Sequence, residues 1–571
     1  MLLQHNPPLD HSIPPNTPHS VIQSLPSWQD NVSYAMERHT QNESMETCYP
    51  RFYIHPFLQP LIKMTLKALH ASSQQTCLLF PSENLAGSFR SYMHLQFPSS
   101  FPEHAELHCV SQALNSPPGN EIFAVLFHIE QQRLAMRFWT FSGCGISTRL
   151  AETCVKRQNG NLQMTLGLPT VRGHEYADYY DSHTALTSAS EAKAKIKALY
   201  AGIDTRSGGV KNIRGVEGIT ANDVYLYPTG MNAIWNIHRM LDNVRRSDIS
   251  DERTFTTVQV NSIYSDSYKL LDITSGYRYF TNETFDDLEQ FLENDDCVIL
   301  GIFTDFPGNP HLRCADLPRL RRLADKYRIP VVIDETVGCH LNISVLQYAD
   351  VVVSSLTKTF SGFSNVLGGA LLLNPRSMFY PQFKAYQDTH YADDYFDADA
   401  LVMELNSRGF EERLSKINRN AEDFADWLYS RSQMGGMKDA VVEKVFYPKY
   451  QDRDNYHRCM RIVSNAKHGL DVFLPGDKVQ PGYSGLVSLS FTSLDAAKAF
   501  YESIQCYKGT TLGTVITLLS PFTAIAFPPD QMNWVREHGM VEAMVRFSVG
   551  VEDISRILNS VDAALSVAQK C

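Results

Sequence analysis

The sequence has no apolar run approaching the roughly 20 residues that a membrane-spanning helix requires, so no bilayer span is expected. It has no clusters of Lys and Arg. Its 51 basic residues are scattered and outnumbered by 62 acidic ones, for a net charge of −11. Such a chain offers no basic stripe to nucleic acid or to an anionic membrane. Its 11 cysteines form no Cys-x-x-Cys pair and are spread from Cys48 to Cys571. An odd, scattered set reads as reduced thiols of an intracellular protein, not as a disulfide frame or a zinc site. The stretch MLLQHNPPLDHSIPPNTPHS lacks the continuous apolar core of a secretory signal and the arginines of a transit peptide, and a cytoplasmic location is expected. There is no internal repeat and no low-complexity tract.

What is present is a chain of 571 residues, 43% hydrophobic, long enough for several cores. Residues 1 to about 30 are rich in Pro, Ser and Asn and read as an arm lying on something else. From Tyr49 to about Val155 the text looks folded. FYIHPFLQPLIKMTLKALH has helical spacing, and EIFAVLFHI has the apolar density of a buried strand. No chemical motif stands out there. The segment 156–220 is more polar, with SASEAKAKIKALYAG as a helix and DTRSGG as a loop. From Asp223 the character changes. FTTVQV, VILGIF, PVVID, ADVVVSS and VLGGALLL alternate with the amphipathic stretches AIWNIHRMLDNV and LPRLRRLADKY. That alternation predicts an α/β domain whose largely parallel sheet is covered on both faces. Later, GLVSLSF with LDAAKAFYESI, and VRFSVG with a final helix, predict a smaller α+β domain. The boundaries drawn are 1–165, 166–222, 223–380 and 381–571.

Ligands of such sheets sit at the carboxyl ends of the strands, and the chemistry-bearing residues follow the apolar runs. Lys358 follows ADVVVSS. Burial disfavours an ammonium, so a lysine there can lose its proton and attack an aldehyde such as that of pyridoxal-5′-phosphate (PLP). A surface lysine is the plain alternative. Ser355 and Thr357 are hydroxyl donors suited to phosphate oxygens, although both types are common in loops. Asp334 ends VVID, where a carboxylate can keep a pyridine nitrogen protonated and make the ring an electron sink; an Asp opening a loop is equally ordinary. Thr229-Gly230-Met231 follows VYLYP and opens a helix whose free N–H groups can take a phosphate. Tyr264 can stack on a ring or be a core tyrosine. Asn309, in a Gly-Asn-Pro turn, can reach a phenolic oxygen. Arg546, in a late strand, is a natural partner for a substrate carboxylate or for a surface carboxylate. Each is weak alone. Together, in this order and each beside a strand, they describe one site.

The pattern resembles the cystathionine γ-synthase family, PLP enzymes of Cys and Met metabolism. The likeness rests on Thr229-Gly230-Met231, Tyr264, Asn309-Pro310, Asp334, Ser355-Leu356-Thr357-Lys358 and the stretch from Arg546 to Asp553. NTPHSVIQSLPSW, YPRFYIHPFLQ and the text around Gly145-Ile146-Ser147 resemble the long extension of fungal-type members. The resemblance implies a PLP-dependent transferase of fold type I, aspartate-aminotransferase-like. Its large domain (223–380) binds the cofactor, its small α+β domain is C-terminal (381–571), and an extension (1–165) and an arm (166–222) precede both. Lys358 would hold PLP as a Schiff base and shuttle protons. Gly230, Met231, Ser355 and Thr357 would bind the phosphate. Tyr264 would stack and assist proton transfer, and Asp334 would pair with the ring nitrogen. Arg546 and the Thr517 region would hold the substrate carboxylate. The family reaction is γ-replacement on an O-acylated homoserine, giving cystathionine when cysteine is the nucleophile. A homodimer or homotetramer acting on amino-acid substrates is implied.

Two positions depart from the family. Its Tyr-x-Arg arm motif aligns with Tyr180-Asp181-Ser182, so an arginine is missing, with Arg172 or Arg206 as substitutes. The acidic residue before the substrate-facing Ser or Thr is Ile516. The second departure keeps open a different nucleophile in secondary metabolism. The first keeps open a catalytically weak regulatory paralogue.

Overall fold

A computed structural model describes the chain except at residues 1–5, 37–44, 116–120, 162–165, 170, 172–173, 181–184, 205–210, 248–252, 295–296, 462–479, 528–530 and 538–539. The short β-branched runs become strands because each is buried on both faces, as a sheet between helix layers requires. In the N-terminal region β1 (Gln75–Phe80), β2 (His108–Cys109) and β3 (Phe123–His128) form an antiparallel sheet in the order β1-β3-β2. Its core is aromatic: Phe80, Phe89, Phe127 and Phe138 are all buried. The helical spacing from Phe52 to His70 yields a helix only over Gln59–Ala68. Pro56 and Pro60 account for the late start: the first steers His55 out of helical geometry, and the second fits the first turn, where no N–H is needed.

A ribbon of β4 (Ile203–Asp204) and β5 (Lys211–Asn212) leads into the main sheet. Its strands are β6 (Val224–Tyr227), β7 (Thr254–Val260), β8 (Tyr277–Phe280), β9 (Cys297–Asp305), β10 (Val331–Asp334), β11 (Val351–Ser354) and β12 (Gly369–Leu373), in the order β6-β12-β11-β10-β9-β7-β8. Only β12 runs antiparallel to its neighbours. The carboxyl ends of the other strands therefore share one edge. The helices Gly230–Ser247 and Leu317–Tyr327 cover the sheet as their apolar spacing predicts.

The last sheet contains β13 (Val442–Phe446), β14 (Leu486–Phe491), β15 (Tyr507–Lys508), β16 (Leu518–Ser520) and β17 (Met544–Ser548), in the order β13-β14-β17-β16-β15. The N-terminal arm lies on its edge. Leu25 N–H donates to the Lys508 carbonyl at 3.0 Å, Lys508 N–H donates to Asn6 Oδ1 at 2.8 Å, and Trp28 meets the Tyr501 ring edge-on.

Candidate active site

Five strand ends converge on one cavity. Chain leaving β6 supplies Gly230 and Met231, chain leaving β7 supplies Tyr264, and β9 ends in Asp305. β10 ends in Asp334, and chain leaving β11 supplies Ser355 and Lys358. All of these line an open space of about 760 Å³. From the last sheet come Arg546 and the loop residues Thr510, Thr511 and Leu512. A glycine is required at 230: a Cβ there would stand 2.7 Å from Ser355 Cβ. The Gly230 backbone can therefore face Ser355 at the start of its helix, where free N–H groups favour an anion.

Lys358 Nζ donates to Thr511 Oγ1 at 2.8 Å and lies 5.0 Å from the centre of the Tyr49 ring. Burial lowers its ammonium pKa; Tyr49 opposes the shift, and Arg51 and Arg546 add to it. The amine is thus biased toward its neutral, nucleophilic form. Asp334 and Asp305 face each other in register on adjacent strands. Burial pushes Asp334 up to about 6, against the pull of Thr336 N–H, which donates to its Oδ1 at 2.8 Å. Burial, with Asp334 alongside, also raises Asp305, whose Oδ2 accepts the Tyr264 N–H at 2.9 Å. Among the described residues neither the buried Asp305 nor the half-buried Asp334 has a basic partner, and such a pair invites a cation. Arg546 is the converse. It is buried, and among the described residues its one hydrogen bond runs to Asn309 Oδ1 at 3.0 Å, with the Phe522 ring 4.8 Å away. Burial lowers it to about 10, so it stays charged at neutral pH.

Of the residues the sequence singled out, Gly230, Met231, Tyr264, Asn309, Asp334, Ser355, Lys358 and Arg546 meet at this cavity. Thr357 is buried beside it, its Oγ1 bonded to Gly368 N–H at 3.0 Å. Tyr180 packs edge-on against Phe363 in an apolar cluster outside the cavity lining, and burial pushes its phenol up to about 12. Thr517 is also outside the lining, its hydroxyl donating to Glu552 Oε2 at 2.9 Å, and Ile516 joins the cluster around Tyr180. Asp181, Ser182, Arg172 and Arg206 lie outside the described residues. Sequence reasoning missed Tyr49, Arg51 and Phe52, which come from the N-terminal region, and Asp305, Thr510 and Thr511. The signal for Asp305 was available: it ends a strand in register with Asp334. A signal for Tyr49 and Arg51 was available too: Tyr49-Pro50-Arg51 has the Tyr-x-Arg spacing that was sought at Tyr180-Asp181-Ser182 instead.

A lysine amine, a helix start at Gly230, a tyrosine and a carboxylate with no basic partner among the described residues share one cavity, the arrangement of a PLP site of the fold type I class. The group fits this chain on three observations: the Gly230–Ser355 cradle, the cation-seeking Asp334, and the Thr510 hydroxyl, which is buried without a partner among the described residues. The match to known proteins agrees. Residues 210–566 match the model of the Cys/Met metabolism PLP-dependent enzymes, and residues 57–147 match that of the fungal trans-sulfuration enzyme N-terminal domain. The chain belongs to the Cys/Met metabolism family of PLP-dependent enzymes, in its fungal form with the N-terminal domain. It is 36% identical to the cystathionine gamma-synthase-like enzyme iboG1 of Amanita muscaria, covering 98% of this chain and 97% of that one. It is 32% identical to the cystathionine gamma-synthase of Neurospora crassa, covering 98% of each. Among solved structures, metB from Corynebacterium glutamicum is 19% identical, with a TM-score of 0.49 over 65% of this chain and 97% of that one.

Asp334→Asn is expected to lower kcat by roughly 10- to 100-fold while PLP still binds, the value of one charge-assisted hydrogen bond. Steady-state kinetics on cofactor-saturated protein check this, and an unchanged kcat removes Asp334 from the ring nitrogen.

Proposed function

We propose that this enzyme carries out γ-replacement on an O-acylated L-homoserine, forming cystathionine when cysteine is the nucleophile. One observation carries the amino-acid part of this reading. Arg546 is a buried guanidinium at the cavity with an amide oxygen as its polar partner. A carboxylate completes such a group by a two-point contact. A substrate α-carboxylate seated there lies in the same cavity as the Lys358 amine.

PLP, when bound, supplies an electron sink for charge developing at the substrate Cα. The chain does the rest. Asp334 would keep the ring nitrogen protonated, Tyr264 would cover the ring, and Gly230, Met231 and Ser355 would receive the phosphate. The Lys358 amine removes the Cα proton and moves protons between Cα, Cβ and Cγ, held between turns by Thr511. The Cγ–O bond breaks, the acyl group leaves as its carboxylate, and the nucleophile forms its bond to Cγ as it gives up a proton. Walls such as Phe52, Val337 and Leu512 limit water at these carbons.

A second reading changes only the nucleophile. Among the described lining residues the carboxylates are Asp305 and Asp334. With Ile516 packed elsewhere, no further anion waits for the ammonium of an incoming amino acid. That suits a carbon or other uncharged nucleophile. Purified protein assayed with O-acetyl- and O-succinyl-homoserine against thiol, amine and carbon nucleophiles decides. Cystathionine from cysteine alone is the expected product. Carbon adducts without cystathionine favour the second reading. Failure to consume either acyl-homoserine sinks both.

A further inference from the structure

Tyr49 and Arg51 enter the cavity from YPRFYIHPFLQ, in the N-terminal region, well before the arm at Tyr180. Arg51 is 2% exposed. Its Nη2 donates to Tyr264 Oη at 2.7 Å and to Asp266 Oδ2 at 2.8 Å, and its Nη1 donates to the Thr140 carbonyl. Its Nε–H makes no hydrogen bond among the described residues, while Arg51 itself lines the cavity. The neighbours of Arg51 locate it. Just beyond Thr140, the Ser142 carbonyl accepts from Asn232 Nδ2 at 3.0 Å and the Gly143 carbonyl accepts from Thr229 Oγ1 at 3.0 Å. The same short stretch thus holds Arg51 and the two residues that flank Gly230 and Met231. Asp266 opens the following helix, where Ser267 Oγ meets Met231 Sδ at 3.7 Å. Arg51 therefore stands at the Gly230 end of the cavity, whereas Arg546 is tied to Asn309.

A phosphomonoester carries about −1.5 to −2 charges at neutral pH. A helix N-terminus offsets only about half of one charge, so a cation is still wanted at that end. Asp266 offsets part of Arg51's charge but also fixes its planar fork. We propose that Arg51 binds the PLP phosphate from within the same chain while Tyr49 closes the cavity over Lys358. The N-terminal region is then a built part of the cofactor site.

The test titrates apoprotein with PLP and with pyridoxal, which lacks the phosphate, following visible absorbance. Arg51→Gln alone would leave Asp266 buried without its partner, so R51Q/D266N is compared with D266N. The expected result is a roughly 10- to 100-fold weaker Kd for PLP, with pyridoxal changed by less than about twofold. Arg51→Lys should recover part of the loss. An unchanged PLP Kd, or equal losses for both ligands, overturns the phosphate assignment. Same-chain supply is tested by co-expressing K358A and R51Q chains and measuring bound PLP. No site then has both groups, and the visible absorbance of lysine-bound cofactor should not exceed that of R51Q alone. A recovered band means that the arginine crosses between chains and overturns the proposal.

Discussion

Replacing Lys358 with alanine is expected to lower kcat by about 10²- to 10⁴-fold or more, the range a positioned acid–base group supplies. Three observations set the expectation. The amine lines the same cavity as Asp334 and Arg546. It is held at 2.8 Å from Thr511 Oγ1. Burial, with two guanidinium groups adding, favours its neutral form. No other described lysine lines this cavity, so no second amine can take over. Lys358→Arg is expected to fare no better, because a guanidinium stays protonated and cannot serve as base. Folding should be little affected: the Lys358 amine contacts Thr511 and the Tyr49 ring, and burial already disfavours its charge, so its removal takes away little stabilising energy. Thermal unfolding checks that control, and steady-state kinetics check the loss. Added small primary amines should restore a fraction of the K358A turnover by reoccupying the emptied space. Activity within about tenfold of the parent would remove Lys358 from proton transfer.

The strand-end half of the site was legible because its grammar is local. Asp334, Lys358 and Gly230 each follow a short apolar run, and a parallel sheet brings such positions to one edge whatever the loops between them do. The α/β alternation that announced this sheet reads equally well, and its one antiparallel strand, β12, was hidden because VLGGALLL is as apolar as its parallel neighbours. The N-terminal half was less legible. Arg51 meets Tyr264 and Asp266 across more than 200 positions of chain, and the helical spacing that begins at Phe52 marks a helix, not a contact with a distant cavity. The loop after β15 misleads for a related reason. Its threonines are alike in sequence, but Gly513 adopts φ +73° and turns the chain. Thr511 meets Lys358, whereas Thr517 is drawn to Glu552.

Arg214 and Glu335 carry the largest expected effect on stability. Glu335 directly follows Asp334, and Arg214 lies just after the β4–β5 ribbon, in chain that reads as a polar linker. Both side chains are 1% exposed, and Arg214 Nη1 donates to the two Glu335 oxygens at 2.6 and 2.8 Å. Arg214 Nε also donates to the Tyr200 carbonyl at 3.0 Å, and the guanidinium lies 4.7 Å from the Tyr200 ring centre. Taking two charges out of water costs nearly what their attraction returns, but removing one leaves the other buried and alone. Arg214→Met is therefore expected to destabilise the protein by about 3–5 kcal/mol, read as a lower urea midpoint at unchanged slope. The double variant R214M/E335L should regain most of that loss, because it removes both desolvated charges. The single variant should also weaken PLP binding at temperatures where it is still folded, since the strand that ends in Asp334 loses its anchor one residue later. A single variant within about 1 kcal/mol of the parent would show that water reaches the pair. A double variant no better than the single would show that Arg214 acts through Tyr200 instead. If the double restores both stability and cofactor affinity, the ion pair serves to hold Asp334 in register beneath the ring rather than to stabilise the fold by its charge.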